Sequence, residues 1–196
     1  MVAEIRIYFE GHVLLKPGFS RFFDQLRSRA RERSCKFELI SGGSGSAACR
    51  DFTIALATHP RALNILLADS EGPDTGNLSE SLCRKHSWDQ SHRGSIYWMV
   101  EMMEAWFHAD KEALEEFYGR DFRRNALKAN PKVEEISKDD LKRGIREATK
   151  YTQKGDYFEN KTSHGPGLLS AISPEKVQGA APNCKRLFAD VLAKLE

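Results

Sequence analysis

The feature that most constrains the fold is a short apolar run at residues 62–68 (A-L-N-I-L-L-A), which holds a single Asn. Such a run is typical of a β-strand buried on both faces, as in a parallel sheet covered by helices. Two earlier segments, residues 3–9 and 36–40, have strand patterns. Apolar residues at helical spacing predict helices over residues 17–33 and 47–57, between the strands.

This alternation of strands and helices predicts an α/β fold with right-handed crossovers and a mostly parallel sheet. A fourth strand is predicted at residues 96–100. Helices are predicted at 82–88, 102–109 and 112–118, with a polar turn at 72–79 and a loop at 125–137. We expect one domain, with an α/β core at residues 1–110 and a helical C-terminal elaboration at residues 111–196.

The last third of the chain has fewer strand signals. The pattern Ser137-x-x-Asp140 is a capping box and predicts a helix that runs to about residue 150. Residues 151–167 are rich in Gly, Lys and His, which favours a surface loop. A final helical stretch is predicted to begin at Pro174.

Composition excludes several classes of protein. The 196 residues are 40% hydrophobic and 30% charged, so the chain is neither disordered nor fibrous. Its 30 Lys and Arg against 28 Asp and Glu argue against a general polyanion binder but leave room for a local basic patch. The sequence has no run of 18 apolar residues, so no membrane span is predicted. Four scattered cysteines favour reduced thiols, so we expect a cytoplasmic protein.

Acidic side chains follow two of the predicted strands. Glu10 closes the first strand, and Asp69 and Glu71 close the third. Ligands bind at the carboxyl ends of strands in open α/β sheets, and residues two apart in an extended segment point the same way. Carboxylate oxygens suit Mg²⁺. The three residues are therefore candidate metal ligands, with Mn²⁺ as an alternative ion. The alternative interpretation is that these three acids are only capping or turn residues that follow the strand ends.

Two further groups carry candidate functional residues. Glu104 lies within an apolar stretch, where an acid is costly unless it is paired or binds a metal. A basic segment with interspersed aromatic residues could hold phosphates, and its candidates are Lys150, Lys154, Lys161 and His164. An ordinary exposed loop is the alternative. The G-x-G-x-x-A pattern at residues 43–48 follows the second strand instead of the first, which disfavours a dinucleotide site.

Six short motifs give the chain a family resemblance. They are I-Y-F-E-G (7–11), L-L-A-D-S-E (66–71), M-E-A-W-F-H-A-D (103–110), F-Y-G-R-D-F (117–122), A-N-P-K-V-E-E-I (129–136) and T-Q-K-G-D-Y (152–157). Together they span most of the sequence. On these motifs the chain resembles the bacterial family named domain of unknown function 4276, whose members are described as TOPRIM-like.

The resemblance implies a Rossmann-like α/β/α sandwich of TOPRIM type with an acidic Mg²⁺ site. The TOPRIM glutamate, a general acid or base, falls on Glu10. The metal-binding Asp-x-Asp falls on Asp69 and Glu71, where this chain has Glu as the second acid. The family resemblance also supports Lys154 as a substrate-binding residue. TOPRIM-like relatives include nucleases and sit beside ATPases in phage-defence systems.

Two functions therefore follow as hypotheses. The first is a metal-dependent nuclease that cleaves DNA or RNA, with Glu10, Asp69 and Glu71 at the metal and Lys150, Lys154 and His164 on the substrate. The second is a non-catalytic regulatory protein that docks on a partner ATPase. The near-neutral net charge favours the second hypothesis.

Overall fold

A computed structural model describes residues 2–196 as one four-stranded sheet surrounded by helices. The strands are β1 (Glu4–Glu10), β2 (Lys36–Gly43), β3 (Leu63–Asp69) and β4 (Ile96–Met99). The α-helices are α1 (Lys16–Phe22), α2 (Asp24–Glu32), α3 (Gly45–Thr58), α4 (Leu78–His86), α5 (Glu104–Ala109), α6 (Lys111–Tyr118), α7 (Lys138–Thr149), α8 (Lys161–Ala171), α9 (Pro174–Ala180) and α10 (Pro182–Leu195).

The sheet has the order β2-β1-β3-β4, and every neighbouring pair is parallel. In β1, Ile5, Ile7 and Phe9 are completely buried, and Phe9 lies opposite Leu67 of β3. The predicted α/β fold with its parallel sheet is confirmed. Because β1 and β3 are adjacent and parallel, their carboxyl ends meet at one edge of the sheet.

Helices cover both faces of the sheet, which gives three layers. On one face, Phe52 of α3 packs edge-on against Tyr8 of β1. On the other face, Phe19 of α1 packs against Phe9, with ring centroids 4.7 Å apart. The C-terminal helices join this second layer, and buried Leu195 belongs to the same apolar core.

Two predicted helices are each divided in the structure. The helix predicted over residues 17–33 breaks at Phe23, whose backbone (φ −92°, ψ 20°) separates α1 from α2. The break lets Phe22 and Phe23 both enter the core. The stretch predicted to begin at Pro174 breaks at Ala181, because a residue before proline is driven out of helical geometry by Pro182.

The prediction of a surface loop over residues 151–167 was wrong in part: residues 151–160 do form turns, but they are not all exposed and the segment continues into a helix. Tyr157 is completely buried and α8 begins at Lys161. Gly155 has a left-handed backbone (φ 80°) in the turn before α8, whereas Gly165 allows close packing of that helix. A Cβ atom at Gly165 would lie 3.0 Å from Cδ2 of Leu15, a tight contact.

The helix predicted from the capping box forms as α7. The Oγ atom of Ser137 accepts a hydrogen bond from the backbone N–H of Asp140, which satisfies one free donor of the first turn. Across residues 2–196, no helix combines the length and apolar character needed to cross a lipid bilayer.

Candidate functional site

The carboxyl ends of β1 and β3 form the wall of a crevice that is lined by Glu10 and Asp69, and Glu71 lies beside it. One carboxylate oxygen from each of Glu10, Asp69 and Glu71 lies within 4.8 Å of the others. The register of β1 against β3 brings the first two side chains together across neighbouring strands. The structure therefore groups these residues as the strand-end argument predicts.

Glu10 is held between β3 and the start of α3. Its Oε2 atom accepts a hydrogen bond from the backbone N–H of Asp69 at 3.1 Å. A Cβ atom at Gly45, the first residue of α3, would lie only 2.8 Å from the same oxygen. The absence of a side chain at Gly45 thus lets the carboxylate rest against the helix N-terminus, where the helix dipole favours negative charge.

Asp69 is fixed from the opposite side. Its Oδ1 atom accepts a hydrogen bond from the backbone N–H of Met103 at 2.9 Å, just before α5. Burial, together with the carboxylates of Glu104 and Glu10, raises the pKa of Asp69 well above its usual range. Three carboxyl groups close together in a poorly hydrated site favour a bound proton or a cation.

Glu71 is the most exposed member of the group. It has a left-handed backbone conformation (φ 61°), and its side chain is 62% exposed. Its Oε2 atom pairs with the ammonium of Lys138. The backbone N–H of Lys138 in turn donates to Oε2 of the buried Glu101 at 3.2 Å. Glu71 therefore already has a cationic partner, unlike the other two acids of the cluster.

Glu104 lies beneath the crevice and is completely buried. Its Oε1 atom accepts hydrogen bonds from the hydroxyl of Tyr157 at 2.8 Å and from Nζ of Lys161 at 2.7 Å. Its Oε2 atom has no partner among residues 2–196. The expectation that this acid is paired or binds a metal is met by the pairing with Lys161.

Lys161 connects the buried acid to the crevice. Burial lowers the pKa of Lys161, but the nearby carboxylates of Glu104, Asp69 and Glu10 outweigh that effect and raise it. The ammonium group is therefore charged at neutral pH. The crevice has a volume of about 270 Å³. Its other lining residues include Gly11, His12, Leu14, Leu15, Gly43, Met103 and Thr162.

The donor set fits a small hard cation. Glu10, Asp69 and Glu71 offer only oxygen atoms, which are the ligands that Mg²⁺ and Mn²⁺ prefer in such sites. The charge of the buried Glu104 below the cluster is already paired with Lys161. A divalent ion held by the three acids would offset the charges of Glu10 and Asp69, which form no ion pair within residues 2–196.

The other predicted substrate-binding residues lie in two separate places. Nζ of Lys154 lies over the ring of Phe117 at 5.0 Å, and Nδ1 of His164 lies 3.1 Å from the hydroxyl of Tyr118. Lys150 pairs with Glu147. The contacts that hold these three side chains are thus outside the acidic crevice, and their role on a substrate stays a prediction.

Sequence reasoning included Lys161 in the basic segment but did not single it out. Tyr157 and Lys161 both contact Glu104, but Tyr157 lies in the turn before α8, so no helical spacing in the sequence indicates this arrangement. It becomes apparent only from the packing of residues 161–171. The G-S-G-S segment has a local role, because Oγ of Ser44 caps α3 by accepting from the N–H of Ala47.

Comparisons with known proteins agree with this architecture. The chain is similar in fold to the C-terminal region of the Burkholderia pseudomallei OLD protein, with a TM-score of 0.57, 10% sequence identity and 100% of each chain covered. At that identity the likeness shows the fold alone. A search of curated proteins finds no match.

A family model gives the remaining comparison. The model described as domain of unknown function (DUF4276) matches residues 12–192. The matched range includes Asp69, Glu71, Glu104 and Lys161, and it begins just after Glu10. Because the match extends over most of the sequence, the chain belongs to the DUF4276 family.

Proposed function

We propose that this protein is a metal-dependent nuclease of TOPRIM type that hydrolyses phosphodiester bonds in the crevice between β1 and β3. The observation that carries the proposal is the convergence of Glu10, Asp69 and Glu71, whose carboxylate oxygens lie within 4.8 Å of one another. A lysine that remains charged, Lys161, lines the same crevice. Acids for a metal and a cation for phosphate are the minimum set for this reaction.

Glu10, Asp69 and Glu71 would hold the ion, which is Mg²⁺ or Mn²⁺. A bound ion of this kind polarises a phosphoryl oxygen and helps to activate water. Met103 contributes by holding Asp69 through its backbone N–H, which fixes one ligand before any ion arrives. The ion competes with a proton for Asp69, so raising the pH strengthens metal binding.

The remaining chemistry is assigned to the chain's own side chains. Lys161 uses one N–H on Glu104, which leaves two N–H groups to donate to the non-bridging oxygens of a phosphate. Glu10 uses Oε2 on the N–H of Asp69, so Oε1 is available to accept a proton from the attacking water. Glu104 positions Lys161 by its buried ion pair and does not itself contact substrate.

A cleavage assay tests the proposal. The purified protein is incubated with single- and double-stranded DNA and RNA in Mg²⁺, Mn²⁺ or EDTA, beside Asp69→Asn, Glu10→Gln and Lys161→Met. We expect cleavage that needs metal, disappears in Asp69→Asn, and falls at least about a hundredfold in the other two variants. Asp121→Asn, which changes an exposed aspartate, is the matched control and should cleave normally.

The second candidate is a non-catalytic regulatory protein that docks on a partner ATPase. The exposure of Glu71 and its ion pair with Lys138 favour it, because one of the three acids is not committed to the crevice. This reading predicts no cleavage with any metal. It also predicts that a complex with the ATPase survives Asp69→Asn and Glu10→Gln together.

A further inference from the structure

Positive charge is concentrated on one segment of the fold. Residues 16–33, which make up α1, α2 and their junction, carry six lysines and arginines against Asp24 and Glu32, a net charge of +4. The whole chain has a net charge of only +2. This segment therefore holds the local basic patch that the overall charge conceals, and such a patch attracts polyanions.

The basic residues that matter lie on the side of α1 and α2 that faces β2. A groove of about 300 Å³ separates the two, and Lys16, Ser20 and Arg27 line its helical wall. Arg31 lies one helical turn after Arg27, so the two project from the same side of α2. The opposite wall of the groove is residues 37–40 of β2, which include Glu38, whose carboxylate is paired with Arg6 and Lys36. We call Lys16, Arg27 and Arg31 the basic track.

The groove adjoins the acidic crevice through two chain segments. Leu14 and Leu15 line the crevice, and the next residue, Lys16, lines the groove. On the other wall, Gly43 lines the crevice and Ile40 lines the groove. The two cavities therefore have neighbouring residues on both walls, which places the groove next to the crevice.

The basic track is available to a ligand because its charges are weakly engaged. Lys16 and Arg31 are exposed and form no ion pair within residues 2–196. Arg27 lies 3.9 Å from Asp24, at the limit of an ion pair. By contrast, Lys36 on the edge strand pairs with Glu38 at 2.7 Å. Cations without close acidic partners keep their full attraction for phosphate.

We propose that the basic track binds the sugar–phosphate backbone of a nucleic-acid strand whose reacting phosphodiester lies in the acidic crevice. The inference rests on the proposed nuclease function and names the surface that holds the substrate. Within α2, Arg27 and Arg31 are about 6 Å apart at 1.5 Å per residue, roughly two phosphate repeats along one strand of a duplex. Contacts of this kind bind backbone without reading sequence.

The test measures binding under conditions that prevent cleavage. Fluorescence anisotropy of a labelled 20-nucleotide single strand and of its duplex is recorded in EDTA at several salt concentrations. The track variant is Lys16→Gln/Arg27→Gln/Arg31→Gln. The control, Lys142→Gln/Lys185→Gln/Lys194→Gln, removes the same charge from exposed lysines on α7 and α10. Circular dichroism checks that both variants are folded.

We expect the track variant to bind at least about tenfold more weakly, and its salt dependence to flatten by about two to three ions because three phosphate contacts are lost. The control should stay within about twofold of the wild type. Equal losses in the two variants would overturn the proposal, as would a wild type that binds neither strand. Competition by polyglutamate as strong as that by unlabelled nucleic acid would indicate an acidic protein partner, and would also overturn it.

A parallel readout separates this proposal from the nuclease proposal. Mn²⁺ binding, measured by electron paramagnetic resonance without nucleic acid, should be the same in the track variant and the wild type. Metal-dependent cleavage with unchanged binding by the track variant would reject the basic track and leave the nuclease standing. Weakened binding by the track variant, with no cleavage by the wild type, would support the track and reject the nuclease.

Discussion

Nζ of Lys161 lies 2.7 Å from Oε1 of Glu104, and this ion pair joins α8 to α5 directly beneath the acidic crevice. The Glu104 side chain is completely buried, whereas that of Lys161 is 43% exposed. The pair is therefore asymmetric: the lysine still reaches the crevice, and the glutamate depends on the lysine for its counter-charge. Removing the partner of a buried carboxylate strongly destabilises the folded protein, because the charge is then left uncompensated.

Replacing the lysine should therefore destabilise the fold. We expect Lys161→Met to lower the free energy of unfolding by roughly 3 kcal/mol, because Glu104 then keeps only the hydroxyl of Tyr157 as a partner. Urea denaturation followed by circular dichroism measures the change. The double variant Lys161→Met/Glu104→Gln should recover part of the loss, since a neutral amide replaces the buried charge.

The matched control for this prediction is Lys154→Met. Its ammonium contacts the face of the Phe117 ring and has no ion pair among residues 2–196, so we expect a loss below about 1 kcal/mol. Equal stability of the wild type and Lys161→Met would show that the pair with Glu104 does not support the fold.

Asp69→Asn should stabilise the protein at neutral pH. The pKa of Asp69 is raised in the folded state, so the folded chain binds a proton more tightly than the unfolded chain. The folded state consequently loses stability as the pH rises from about 4, the ordinary value, through the raised pKa. We expect the variant to melt a few degrees higher than the wild type at pH 7. The two proteins should melt together near pH 3.

Thermal denaturation over this pH range checks the prediction, in metal-free buffer. The amide can still accept the hydrogen bond from the backbone of Met103, so the local geometry is kept. A variant that melts lower than the wild type at pH 7 would mean that charged Asp69 stabilises the apo protein, against the electrostatic account of the crevice.

The strand ends and their acidic residues could be predicted from the sequence, but the buried ion pair beneath them could not. Glu10 and Asp69 could be placed because buried parallel strands have a recognisable apolar pattern and end at a common edge. The pair of Glu104 with Lys161 joins positions 57 residues apart through α8, whose Gly165 and Pro166 are typical of loops. Tertiary packing against α1 overrides that local preference, and no single-sequence pattern reports it.

Gly45→Ala should disturb the crevice while preserving the fold. The added Cβ would lie 2.8 Å from Oε2 of Glu10, so this carboxylate must turn away and lose its hydrogen bond from Asp69. We expect Mn²⁺ affinity to fall about tenfold or more, with an unfolding free energy within about 1 kcal/mol of the wild type. Isothermal titration calorimetry measures the affinity.

A glycine in open space provides the control for that variant. A Cβ at Gly179 in α9 would meet no atom within 4 Å, so Gly179→Ala should leave metal binding unchanged and stabilise its helix by up to about 1 kcal/mol. If Gly45→Ala binds Mn²⁺ as tightly as the wild type, Glu10 is not a ligand of the metal.

His108 should make the protein sensitive to acid. Burial lowers the pKa of His108 to about 4, from an ordinary value of 6.5, because the charged ring cannot be hydrated. The stability that the neutral ring contributes is complete above pH 6.5 and is lost as the pH falls toward 4. We expect about 2–3 kcal/mol of this stability to disappear between pH 7 and pH 4.5.

Comparison with His108→Gln isolates that effect. Glutamine does not titrate, so the unfolding free energy of the His108→Gln variant should fall less than that of the wild type over the same pH interval. His86, a partly exposed histidine stacked on Trp88, serves as the matched position, and His86→Gln should follow the wild type. Identical pH profiles for the wild type and His108→Gln would contradict the burial argument.

The most direct test of the metal-centre account is a titration of the metal-free protein with Mn²⁺, followed by electron paramagnetic resonance at pH 7.5. The account predicts one bound ion per chain, loss of that ion in Asp69→Asn and in Glu10→Gln, and unchanged binding in Asp121→Asn. It further predicts weaker binding at pH 6, because a proton then competes for Asp69. Stoichiometric binding that persists in Asp69→Asn, or no binding by the wild type, would contradict it.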